Sequence, residues 1–179
     1  NDPGTGDYEV EAVVYFDTDD TMRAGIAFRG LDSGTNQCYA AMLRGGNSLR
    51  LSHITGTTET TVISTVTVAY DANTFYHIKV SAIGSALKVK FWADGAGEPG
   101  TWNIEVTNTA LDNTHHLVGA YFFNGSADAD DVFFDALEVN DFSGSPSVSP
   151  SVSPSASVSP SSSISPSASL SPSSSPSAS

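Results

Sequence analysis

Two runs decide the fold: Thr74-Phe75-Tyr76-His77-Ile78-Lys79-Val80-Ser81-Ala82-Ile83, then Gly84-Ser85, then Ala86-Leu87-Lys88-Val89-Lys90-Phe91-Trp92-Ala93. Both alternate polar and apolar residues at a period of two, as a strand with one buried face does. A glycine leading a two-residue loop tolerates the positive φ that a tight hairpin needs. Counting outward from that turn sets Val80 beside Val89 and Ile78 beside Phe91 on a core face. The opposite face receives Ser81 beside Lys88, Lys79 beside Lys90, and His77 beside Trp92. Two lysines directly opposite each other repel unless an anion lies close. Glu105, on the next predicted strand, is the expected anion. A polar face carrying an aromatic ring suits a bound sugar, and it suits an ordinary solvated sheet face equally.

The same pattern extends in both directions. Tyr8–Phe16, Ala24–Arg29, Gln37–Leu43, Leu49–Ile54 and Thr60–Ala69 precede the hairpin, and Trp102–Thr107, His116–Phe123 and Val132–Val139 follow it. Turn residues (Gly, Asn, Asp, Thr) separate these runs, and no helical period or βαβ alternation intervenes. About ten short strands at regular spacing predict an all-β, two-sheet antiparallel jelly-roll sandwich.

The composition changes abruptly near Asp141. Residues 143–179 hold 21 serines and seven of the nine prolines, with no charged or aromatic side chain. Such a segment cannot bury enough apolar surface to offset its ordering entropy. Residues 1–142 are therefore expected to form the folded domain, and residues 143–179 an extended, polyproline II-like or disordered tail. Its prolines recur every four or six residues, from Pro146 to Pro176. Flanking serines suit O-linked sugars on a stalk, and the same composition suits a plain linker.

All 20 acidic and seven basic residues precede Ser143, so the net charge of −13 belongs to the domain. Such a charge argues against nucleic acid and anionic membrane as partners. Cys38 is the single cysteine, which excludes an intramolecular disulfide and any Cys-based metal site; it reads as a small buried residue. No apolar run approaches the roughly 18 residues of a membrane span. The chain opens Asn1-Asp2-Pro3 without methionine, and the expectation is a processed or trimmed terminus.

Residues Thr74–Gly95 resemble the paired central strands of laminin-G-like, concanavalin A-like jelly-roll modules. Glu98-Pro99-Gly100-Thr101-Trp102 is similar to the next step in modules attached to secreted bacterial glycoside hydrolases. Ala24–Gly30, Tyr39–Leu43, His116–Phe122 and Val132–Val139 follow the family's order of strands. The resemblance covers about residues 7–140. It implies an extracellular or cell-surface location and a glycan or cell-surface polysaccharide as partner. The fold hosts unrelated functions, so a structural role stays open. In that alternative the domain self-associates into fibres, with glycosylated tails packed between copies.

Glycosidase chemistry needs two carboxylates across a bound sugar. Hydrolases of this fold carry them in a Glu-x-Asp-x-x-Glu-type run, which no predicted strand contains, so no catalysis is expected. Glu9 and Glu11 share a strand face and read as solvent-facing. Trp92, taken as exposed because it shares a face with Lys88 and Lys90, is the candidate glycan platform together with His77 and Lys79. Trp102 alternates with Ile104 and Val106 and reads as core. Asp17, Asp19 and Asp20 form one acidic cluster, and Asp128, Asp130 and Asp131 another, either of which suits calcium or a simple acidic turn. By the family resemblance, Asp135 would hold one structural calcium ion with backbone carbonyls near the first strand, and Asp128 and Asp130 are the candidate ligands from the acidic cluster before it. Asn124-Gly125-Ser126 reads as a turn in preference to a glycosylation sequon.

Overall fold

The computed structural model describes residues 6–16, 23–31, 36–112, 114–123 and 132–141. They form ten strands: β1 (Tyr8–Phe16), β2 (Arg23–Gly30), β3 (Gln37–Arg44), β4 (Ser48–Thr55), β5 (Thr58–Thr67), β6 (Thr74–Ile83), β7 (Ala86–Ala93), β8 (Ile104–Thr107), β9 (Leu117–Phe123) and β10 (Val132–Asp141). One sheet has the order β10-β1-β6-β7-β8 and the other β5-β4-β3-β2-β9, with antiparallel pairing throughout. The expected antiparallel sandwich is what forms. The tail, both acidic clusters and Asn124–Ser126 lie outside the described residues.

The period-two pattern explains the core directly. Tyr8, Val10, Ala12 and Val14 point inward from β1, and Ile78, Val80 and Ala82 from β6. Ala24, Ile26 and Phe28 from β2, with Tyr39, Ala41 and Leu43 from β3, meet them from the other sheet. Each large aliphatic buried this way contributes about 1.5–3 kcal/mol. The Gly84-Ser85 hairpin has the expected register, with Val80 opposite Val89 and Lys79 opposite Lys90, and Gly84 sits at φ +53°. Gly25 serves a different need, because a Cβ there would lie 1.9 Å from the Ala41 carbonyl oxygen.

A polar knot closes one end of the sandwich. The fully buried Arg29 donates to the carbonyls of Leu111 (3.2 Å) and Gly6 (3.1 Å), and its own N–H donates to the Tyr8 hydroxyl at 2.7 Å. The Tyr39 hydroxyl donates to Asn108 Oδ1 at 2.6 Å and accepts from the Leu111 N–H at 2.9 Å. Burial pushes the Tyr8 phenol up to about 12. A cleft of about 160 Å³ lies beside this knot, lined by Arg29, Gly84, Asn108 and Leu111 among others. Arg29 is engaged there by backbone carbonyls, which is a structural use of its charge.

Three expectations shift in detail. The strand expected from Trp102 begins only at Ile104. Asn103 stands in for its ladder, its N–H donating to the Val89 carbonyl and its Oδ1 accepting from the Phe91 N–H, both at 2.9 Å. The strand expected from His116 begins at Leu117, because Asp112 accepts from the Thr114 N–H (3.0 Å) and lies 2.8 Å from His115 Nδ1, forming a turn there. Cys38 is half-buried on the face turned away from the main core, with Ala40, Met42, Ile54 and Tyr121. Burial raises its thiol to about 11, so it stays protonated and unreactive.

Candidate functional site

The outer face of the β10-β1-β6-β7-β8 sheet carries every lysine. Lys79 and Lys90 stand opposite each other as the hairpin requires, and the anion between them is Glu98. Glu98 Oε1 lies 3.2 Å from Lys79 Nζ and 2.6 Å from Lys90 Nζ. Glu105, the anion expected from sequence, pairs instead with Lys88 at 2.8 Å, its cross-strand neighbour on β8. The segment after β7 therefore folds back over this face, and Lys90 also donates to the Pro99 carbonyl at 3.2 Å.

Neither tryptophan has the exposure expected of it. Trp92 is only 9% exposed, and the His77 ring stacks on it at 4.9 Å and 8°. His77 is itself held by Glu11 (2.7 Å) and Asp94 (3.1 Å), and Lys79 by Glu98 and by Glu9 at 3.5 Å. Glu9 and Glu11 are thus paired, not simply solvent-facing. Trp102 lies outside β8 and off the core, half-buried, with Lys90 Nζ 4.3 Å from its ring centroid. The reason is the shortened β8: Trp102 precedes the paired stretch, so its side chain is free of the alternation that Ile104 and Val106 obey. The expected trio of Trp92, His77 and Lys79 is therefore brought together, but it is occupied by its own contacts.

The outer face of the other sheet holds a constellation that the sequence reading passed over. Arg23 at the start of β2 stands opposite Arg44 at the end of β3, and Arg50 of β4 stands opposite Met42. Glu59 of β5 reaches this group across Ile54. One of its oxygens lies 2.8 Å from Arg23 Nη1, and the other accepts from Arg50 Nη1 at 3.2 Å and from the Ser52 hydroxyl at 2.5 Å. Burial works against the Glu59 charge, but the bonds from Ser52 and Arg50 and the two nearby guanidinium charges outweigh it and hold the carboxyl below its ordinary range. Tyr121 of β9 lies opposite Gly25 and packs on this outer face against Ala40, Met42 and Ile54. Phe123 stands opposite Arg23, whose guanidinium lies 5.0 Å from its ring centroid, and the ring remains 38% exposed. The signal was present in Leu49-Arg50-Leu51-Ser52: once the leucines face the core, Arg50 and Ser52 must face away from it.

Of the residues expected to hold calcium, Asp135 is described and Asp128 and Asp130 are not. Asp135 is exposed on β10 beside a bulge at Ala136 (φ +51°), where the register with β1 shifts. Among the described residues no three His, Cys, Asp or Glu side chains gather as a metal would require. No helix among the described residues is long and apolar enough to cross a membrane.

No protein-family model matches the chain, and no curated protein matches it in sequence. Solved structures match it in fold. The carbohydrate binding module CBM66 from Bacillus subtilis superposes with a TM-score of 0.57 at 16% identity, over 76% of this chain and 77% of that one. Xylan β-1,4-xylosidase from Bacillus halodurans superposes at 0.54 and 14% identity, over 75% of this chain and 28% of the enzyme. Sheep galectin-11, solved with glycerol, superposes at 0.52 and 4% identity, over 74% of this chain and 89% of the galectin. At these identities the likeness is one of fold, and the site has to be read from this chain's own residues.

Proposed function

We propose that residues 1–142 form a non-catalytic, extracellular carbohydrate-binding or adhesion module, with the Ser/Pro segment 143–179 as its stalk. Its glycan lies on the outer face of the β5-β4-β3-β2-β9 sheet. The observation that carries this reading is the gathering of Arg23, Arg50 and Ser52 around Glu59, with Tyr121 packed on the same face and Phe123 exposed at its margin. A sugar presents hydroxyls that both donate and accept beside a face of C–H groups. Guanidinium and hydroxyl donors, one carboxylate acceptor and an exposed ring answer each of those in turn. The sandwich is also the fold of a solved carbohydrate binding module. Hydrolysis of a glycoside by the usual route needs a second carboxylate across the sugar, and Glu59 is the one carboxylate of this constellation among the described residues.

Affinity electrophoresis through gels containing a panel of polysaccharides tests the proposal. Retardation by at least one glycan is expected, lost in Arg50→Ala and weakened in Phe123→Ala, with thermal melts confirming that both variants are folded. Migration unaffected by every glycan would overturn it. Retardation lost in folded Lys79→Ala, and kept in Arg50→Ala, would move the site to the opposite sheet.

A further inference from the structure

Three of the seven basic residues of this acidic protein share one sheet face, with Glu59 the one carboxylate paired to them among the described residues. Among the described residues, Arg23, Arg44 and Arg50 bring three formal positive charges to this face and Glu59 one negative. The other cations are accounted for elsewhere. Arg29 is sealed in the end knot, and Lys79, Lys88 and Lys90 each have a glutamate within ion-pair distance. Arg23 and Arg44 oppose each other directly across β2 and β3, an arrangement that costs stability unless negative charge is supplied. Glu59 supplies it to Arg23 and Arg50, whose side chains are 17% exposed, whereas Arg44 forms no ion pair among the described residues.

We infer that the glycan carries an acidic group, a carboxylate or a sulfate, and that Arg44 with Arg23 receives it beside the sugar ring held at Glu59. This rests on the glycan-binding reading and narrows its ligand class. A guanidinium presents parallel N–H donors that match the two oxygens of a carboxylate or sulfate, and it stays charged at every physiological pH. Partial burial strengthens such a bond relative to water. Burial, followed by the Arg23 and Arg50 charges, lowers the proton affinity of Arg44 against the opposing pull of Glu59. The overall charge of −13 sets a limit on the ligand. A densely charged polyanion is repelled by the rest of the surface, so the fitting ligand is an otherwise neutral saccharide bearing one acidic residue or an acidic end.

The test is an array of neutral oligosaccharides, each printed beside its uronic-acid and its sulfate-bearing counterpart, probed with the labelled full chain. Acidic members are expected to bind about tenfold more tightly than their neutral partners, with the advantage shrinking as salt rises. Arg44→Gln should erase that advantage while leaving binding of the neutral member unchanged and the melting temperature no lower than the parent's, and Arg44→Lys should restore part of the advantage. Which counterpart prevails separates carboxylate from sulfate. Equal binding of neutral and acidic members, unaffected by Arg44→Gln, overturns this inference and leaves the glycan reading standing. No binding to any member overturns the glycan reading and this inference with it.

Discussion

The two outer sheet faces solve one electrostatic problem in opposite ways. Each places like cations directly across a strand pair, Lys79 with Lys90 on one face and Arg23 with Arg44 on the other. The lysine face brings a carboxylate to every cation, and the loop carrying Glu98 folds across it. Among the described residues the arginine face has one carboxylate for three guanidinium groups, and it leaves an aromatic ring exposed at its edge. A face that is electrically closed has its interactions assigned to the fold. One whose Arg44 has no ion pair among the described residues leaves a cation for a ligand to engage. The hairpin register brought Trp92, His77 and Lys79 to one face, but alternation reports which groups share a face, not which are already engaged by neighbours such as Glu98, Glu11 and Asp94.

The contrast can be pressed by substitution. Gly25→Ala drives a methyl group into the β3 backbone beside the arginine face, and it should destabilise the domain by upwards of about 3 kcal/mol in urea unfolding. Glu59→Gln should cost about 2–3 kcal/mol, because it removes the anion shared by two largely buried arginines. Glu98→Gln on the lysine face should cost only about 0.5–1 kcal/mol, since that glutamate is 41% exposed and its bonds are screened. Equal losses for the two glutamates would erase the distinction between the faces.

The smallest expected effect is a pH dependence on the lysine face. Burial disfavours the His77 cation, but hydrogen bonds and charges from Asp94 and Glu11 outweigh it and raise its pKa above the usual 6.5. A raised folded value means that this stabilisation is complete below the unfolded pKa and fades as pH rises through the folded one. Urea midpoints should therefore fall slightly from pH 6 upward, and His77→Gln should flatten that slope. A midpoint that rises over the same range in the parent protein contradicts the pairing.

The fold was almost wholly legible because burial enforces alternation. The register from Val80–Val89 to His77–Trp92 follows from one glycine turn. The site was less legible, since outward-facing residues obey no such rule. Glu98 reaches the lysines from an irregular segment, and Glu59 reaches the arginines through β5, whose register with β4 shifts twice. Trp102 escaped because Asn103 side-chain hydrogen bonding ends the ladder one residue later. None of these carries a local periodic signal. Arg50 was the exception, legible from the leucines on either side of it.

The strand order also sets a timetable for synthesis. Strands β2 to β5 are successive neighbours, so each can zip onto the previous one as the chain leaves the ribosome. Of the described strands β1 emerges before the others, yet it lies between β6 and β10, the latter the last of them in sequence. The sheet bearing the arginines can thus be largely laid down while the N-terminal strand still waits for its partners. Pulse-labelled hydrogen exchange during refolding should find the amides of Glu9–Tyr15 protected last, and early protection there would contradict that order.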